Sequence, residues 1–156
     1  MHVVIPVART IDHQLMHQYL SKVIFSYTLV SENAIEVMAC SDAVIVASGT
    51  ASLECALLGK PMCIIYKVSL ITYLAASRLI KVQYLGLCNL LQSSMIVPEL
   101  LQYDCNPGEL SIVIDSLLTD HAYVNNMICK LKKLKVSLSN QHADINLADL
   151  ITQEMQ

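Results

Sequence analysis

A chain of 156 residues, 54% hydrophobic and 15% charged, is long enough for one sizeable core and carries apolar surface beyond what that core needs. Its formal net charge of −3 excludes a general nucleic-acid footprint. Cys40, Cys55, Cys63, Cys88, Cys105 and Cys129 show neither CxxC nor zinc spacing, which predicts reduced, small apolar side chains and excludes a disulfide framework.

Met1-His2 leads straight into Val3–Val7, an apolar strand without a lead-in, as in a chain cut from something longer. Ala8–Asp12 reads as a turn. A helix is expected over Ile11–Lys22, with Leu15, Met16, Tyr19 and Leu20 on one apolar face. His13 and His17 have the i, i+4 spacing of a metal pair, but no HExxH pattern or third ligand accompanies them, so they are read as solvent-facing. Ile24–Val30 is the next expected strand, after which Ser31 caps a short helix over Glu32–Cys40.

The most informative stretch is Cys40–Tyr66. Ala43–Ala47 is a short apolar run with β-branched residues at its centre, the pattern of a strand buried on both faces. Ser48-Gly49-Thr50 breaks it, Ala51–Leu58 has helical composition, and Gly59-Lys60-Pro61 stops the helix before an apolar strand over Met62–Tyr66. Two buried strands joined by one helix form a parallel βαβ unit. Its turn lies where open α/β sheets bind ligands, at the carboxyl end of a strand and the amino end of a helix.

Beyond Tyr66, a helix is expected over Ser69–Ile80 and a strand over Tyr84–Leu87. Cys88–Val97 reads as loop, and Pro98 opens a helical turn through Gln102. Asn106-Pro107 starts a helix with Leu110, Val113, Ile114 and Leu117 facing the core. Asp120 caps the next, whose stripe is Tyr123, Met127, Ile128, Leu131 and Leu134. Lys130, Lys132, Lys133 and Lys135 on that helix form a solvated face. Ala143–Met155 is a last amphipathic helix, within a C-terminal helical extension over 137–156. No signal peptide opens the chain, and no apolar run reaches the roughly 18 residues of a membrane span; Arg78 interrupts the nearest one. The alternation predicts one α/β domain over 1–156, a Rossmann-like parallel sheet flanked by helices.

The turn Ser48-Gly49-Thr50 exposes backbone N–H groups at a helix amino end, which suits a phosphate, and the hydroxyls of Ser48, Thr50 and Ser52 add donors. Small residues in any βα turn would look the same. Glu54 adds information. Ala51, three residues before it, has no capping oxygen, so no capping box explains the acid. It serves either the helix dipole or a ligand, and a carboxylate one turn past a phosphate loop accepts from two ribose hydroxyls. Neither GxGxxG nor a P-loop is present, which leaves nucleotide-sugar chemistry as the natural class.

SDAVIVASGTASLECALLGKPMCIIYKVSLITYLAASRLIKV, with Tyr84–Leu91 and Ile96–Gln102, resembles the C-terminal half of bacterial lipid-A-disaccharide synthase. The resemblance implies the C-terminal domain of a GT-B glycosyltransferase that moves 2,3-diacylglucosamine from UDP to 2,3-diacylglucosamine 1-phosphate, without metal or other cofactor. It implies that Ser48, Gly49 and Thr50 face the diphosphate, that Glu54 faces the ribose and that Asn89 lines the donor pocket. Pro98-Glu99 would open the next helix of the family. The implied compartment is the bacterial cytoplasm, with Lys67, Arg78 and Lys81 available for peripheral contact with the inner membrane. The N-terminal acceptor domain and its base are expected to be absent, so the chain alone is expected not to turn over. A separate N-terminal half or a second copy meeting the C-terminal helix are the partners that follow. Where the family carries a proline before Asn89 and a glycine-arginine pair three or four residues after it, this chain has Cys88 and Gln92-Ser93-Ser94-Met95, which removes a cation from the expected pocket. That departure keeps a second reading open, a non-catalytic UDP-binding module or a degenerate remnant.

Overall fold

The computed structural model describes residues 1–69 and 83–140. The expected Ser69–Ile80 helix with Arg78 and Lys81, and the Ala143–Met155 helix, lie outside the described residues. So does the expected extension beyond Asn140.

The fold class is the one expected, α/β with parallel strands flanked by helices. Two parallel ladders carry it. The first pairs β1 (His2–Val7) with β2 (Ser26–Ser31), joined through α1 (His13–Leu20). The second runs in the order β3 (Val44–Ala47), β4 (Met62–Tyr66), β5 (Glu99–Leu101), with Val44 opposite Met62 and Ile64 opposite Glu99. Between the ladders runs α2 (Ala34–Cys40), which packs against β1 and against α3 (Thr50–Leu57). The remaining described helices are α4 (Leu87–Leu91), α5 (Pro107–Thr119) and α6 (His121–Asn140).

The core belongs to the second ladder. Met62, Cys63 and Ile64 on the central strand β4 are fully buried, as a strand covered on both faces should be. From α6 come Met127, Leu131 and Leu134, and from α3 Cys55 and Ala56. Sulfur is prominent here: Met38, Met62, Met127, Cys55, Cys63 and Cys88 all belong to the same apolar cluster. Thioethers and thiols fill irregular gaps between branched neighbours without strain. The three buried polar side chains among the described residues, Ser52, Asn89 and Gln102, all have hydrogen-bond partners.

The central βαβ unit forms with the element order its composition predicts, but β3 is an edge strand with Ile45 47% exposed and not a strand buried on both faces. Helix α3 ends in a complete Schellman motif. Gly59 adopts φ +69°, its N–H bonds the Ala56 carbonyl at 2.9 Å, and the Lys60 N–H bonds the Cys55 carbonyl at 3.3 Å. Asn106 caps α5 by accepting from the Glu109 N–H at 3.1 Å, with Pro107 in the first turn. Asp120 accepts from the Tyr123 N–H at 2.9 Å, as its capping role requires.

Four further expectations are corrected. Ser31 does not cap a helix; it ends β2, and α2 begins after Asn33, whose side chain makes no capping bond. Glu32 and Asn33 both take left-handed φ, +62° and +58°, to turn the chain out of the strand. Tyr84–Leu87 is not a strand but leads into α4, which occupies part of the expected Cys88–Val97 loop. Pro98 opens no helical turn, and Glu99–Leu101 is instead the edge strand β5. A proline immediately before a strand suits an edge, where its missing N–H disturbs no ladder. The apolar face of α1 is not covered either: Leu15 and Tyr19 are 44% and 75% exposed, and no residue of the helix is buried.

Candidate functional site

The turn after β3 is held from below and open above. The Ser48 N–H continues the ladder to the Ile65 carbonyl at 3.1 Å. Gly49 follows at φ +145°, ψ −161°, a conformation essentially reserved for glycine. A Cβ at that position would meet no atom of the described residues within 4 Å. Helix α3 begins at Thr50, and the N–H groups of Gly49, Thr50 and Ala51 have no acceptor among the described residues. Three N–H groups without an acceptor among the described residues, at the positive end of a helix dipole, have the chemistry to cradle an anion.

Each expected site residue has a definite place around it. Gly49 and Thr50 are exposed at the mouth. Glu54 is exposed one turn further along α3, on the face of Thr50 by its i, i+4 spacing. Since α3 starts at Thr50, Glu54 is the fifth helical residue, and the first turn contains no acid. The dipole reading of Glu54 therefore loses its basis, because that effect is confined to the first turn. Ser52 is fully buried and turned inward, donating to the Gly49 carbonyl at 2.6 Å. Ser48 donates to the Leu85 carbonyl at 2.9 Å, so its single proton is already engaged.

Asn89 is fully buried, and its amide is saturated. Nδ2 donates to the Val97 carbonyl at 2.8 Å and to Glu99 Oε1 at 2.7 Å, while Oδ1 accepts from the Ile96 and Val97 N–H groups at 2.8 and 3.0 Å. Two donors and two acceptor sites exhaust a carboxamide, leaving no capacity toward a ligand.

Glu99 escaped the sequence reading. From the start of β5 its carboxylate reaches across to accept from the Leu85 and Gly86 N–H groups, both at 2.9 Å, and from Asn89. Gly86 makes this approach possible, since a Cβ there would stand 2.4 Å from Ile64 Cδ1 and 2.9 Å from Glu99 Oε1. Gln102 plays a similar part at the far end of β5. It takes φ +50° and clamps Val68 with both ends of its amide, donating to the carbonyl at 2.8 Å and accepting from the N–H at 3.1 Å. The sequence offered one signal for both residues: an acid and an amide bracketing the apolar pair Leu100-Leu101, where an exposed helical turn would need neither.

The other candidates stay apart from this site. His13 and His17 are exposed, and among the described residues no group of three His, Cys, Asp or Glu side chains is placed to hold a metal. Lys130, Lys132, Lys133 and Lys135 are all exposed along α6. Burial pushes the thiols of Cys55, Cys63 and Cys88 up from 9.0 to about 11, which keeps them protonated and unreactive at neutral pH. A hollow of about 190 Å³ lined by Met95, Val97, Tyr123, Met127 and Lys130 adjoins the amino end of β5. The cradle follows the carboxyl end of β3, so the two belong to opposite ends of the strands. No helix among the described residues is long and apolar enough to cross a membrane.

The family model described as lipid-A-disaccharide synthetase matches residues 1–155. The chain belongs to this family. The lipid-A-disaccharide synthase 1 of Legionella pneumophila (strain Philadelphia 1) is 53% identical over 152 residues, covering 97% of this chain and 40% of the relative. The lipid-A-disaccharide synthase of Anaeromyxobacter dehalogenans (strain 2CP-C) is 36% identical over 147 residues, 94% of this chain and 38% of the relative. That of Geobacter sulfurreducens is 37% identical over 124 residues, 80% of this chain and 32% of the relative. The chain thus spans about 40% of the length of the Legionella synthase.

Proposed function

We propose that this chain is the donor-holding part of a lipid-A-disaccharide synthase and binds the diphosphate of a UDP-sugar at the α3 amino end. The observation that carries this is the cradle: three N–H groups with no acceptor among the described residues, with the exposed Glu54 one turn away. In the proposed reaction an acceptor hydroxyl oxygen of 2,3-diacylglucosamine 1-phosphate bonds to the anomeric carbon of the donor 2,3-diacylglucosamine. The bond from that carbon to the β-phosphate oxygen breaks, and the hydroxyl proton passes to a base. Negative charge then grows on the leaving UDP, which is where preorganised N–H groups are most effective. Glu54 accepts from the ribose hydroxyls and fixes the register of the nucleotide.

We assign neither an acceptor site nor a catalytic base to the described residues. Turnover needs both, positioned within hydrogen-bond reach, so the isolated chain is expected to bind without reacting. Calorimetric titration with UDP is the direct test. Saturable binding, weakened about tenfold in Glu54→Ala for the loss of a charged hydrogen bond, is the expected result. Absence of heat at millimolar UDP with a folded chain would sink the proposal.

A further inference from the structure

The hydroxyl of Ser48 and the carboxylate of Glu99 grip the same residue from opposite sides. Ser48 Oγ donates to the Leu85 carbonyl at 2.9 Å, and Glu99 accepts from the Leu85 and Gly86 N–H groups at 2.9 Å each. One grip comes from the end of β3 and the other from the start of β5, on either side of the buried strand β4. Asn89 holds Glu99 in turn, through Nδ2 to Oε1 at 2.7 Å. The Leu85 carbonyl and the Leu85 and Gly86 N–H groups are thereby held beside the cradle by side chains, while the Gly86 carbonyl accepts from the Leu90 N–H at 2.9 Å.

We infer that Ser48 and Glu99 are a coupled pair of positioning residues that set the wall of the anion cradle, and that Thr50 supplies the hydroxyl offered to the ligand. A phosphate oxygen only accepts, and the Ser48 proton is already given to Leu85, so direct donation from Ser48 would require the grip to be released. Thr50 Oγ1 is exposed and has no partner among the described residues. The inference rests on the cradle reading above, and a separate measurement reads the grip without any ligand.

Amide hydrogen exchange at Leu85 and Gly86 reads the grip, and UDP titration reads the cradle, in the full chain and in Ser48→Ala, Glu99→Gln, their double variant and Thr50→Val. Exchange at both amides is expected to rise about tenfold or more in Ser48→Ala and in Glu99→Gln, with core amides such as that of Leu131 unchanged. Each single variant is expected to weaken UDP about fivefold, the net worth of one neutral hydrogen bond, with no further loss in the double variant. Thr50→Val is expected to weaken UDP while leaving exchange unaltered, and Ser48→Thr, which keeps the hydroxyl, to restore the grip. Loss of affinity in Ser48→Ala with unchanged exchange would make Ser48 a direct donor and overturn the inference. Losses that multiply in the double variant would overturn the coupling. Should the parent chain not bind UDP at all, the cradle reading falls, and unchanged exchange in both single variants then disproves the grip.

Discussion

Asn89 shows how far a single side chain can differ from what its position in a motif suggests. The resemblance places it in a donor pocket, whereas its amide is spent on Ile96, Val97 and Glu99 with no surface exposed. Replacing it with alanine strands two N–H groups and a carbonyl in the interior. A loss of about 2–4 kcal/mol is expected in urea unfolding, because each abandoned buried group forfeits its solvation without compensation. The thiols give a second prediction at this scale. Cys55, Cys63 and Cys88 hold their protons up to about pH 11 when folded, whereas the unfolded chain releases them near 9.0. Between those values the native state binds more protons than the unfolded one, so stability present below pH 9 falls as pH rises toward 11. Urea midpoints under reducing conditions should be flat in these thiols up to about pH 8.5 and decline above it. Under native conditions at neutral pH a thiol reagent should reach the exposed Cys40 and Cys129 and spare the three buried ones.

At the level of elements, legibility followed from how local the determining forces are. The unit from β3 to β4 was readable because a β-branched run, a small-residue turn and a glycine stop each act within a few residues. The Schellman motif at Gly59 is the sharpest example, and it yields a prediction. Gly59→Ala meets no atom within 4 Å, so its only penalty is the left-handed backbone at φ +69°. A destabilisation of about 1–2 kcal/mol is expected by thermal or urea unfolding, with no change in fold. The strand β5 was not readable. Three residues are too few for an alternating pattern, and Pro98-Glu99 resembles a helix start when nothing reveals that Glu99 reaches across to Leu85. The Ser31 cap failed because β2 extends through it, held by pairing with Val7 from a distant part of the chain. Of the proposed site, Gly49, Thr50 and Glu54 could be named as candidates from the sequence, since a glycine break and an unexplained acid announce themselves in one dimension. The engaged states of Ser48, Ser52 and Asn89 were not, because they depend on the backbone of Gly49, Leu85 and Val97 in three.

Across the whole molecule, burial is distributed unevenly. The second ladder and α6 hold most of the core, whereas among the residues of β1 and α1 only Val7 is buried. Leu131→Ala, at a fully buried site, should cost about 2–5 kcal/mol through lost transfer energy and a residual cavity. Leu15→Ala, at 44% exposure, should stay within about 0.5 kcal/mol. Denaturant melts of the two variants decide between this uneven core and one that includes α1. The material of that core has a further consequence. Met62, Met127 and their sulfur-bearing neighbours are shielded from oxidants only while the chain is closed. A methionine that becomes a sulfoxide during an opening is polar and does not fit back among Ile64 and Leu131. Each opening in an oxidising medium therefore risks a sulfoxide that hinders reclosure until it is reduced.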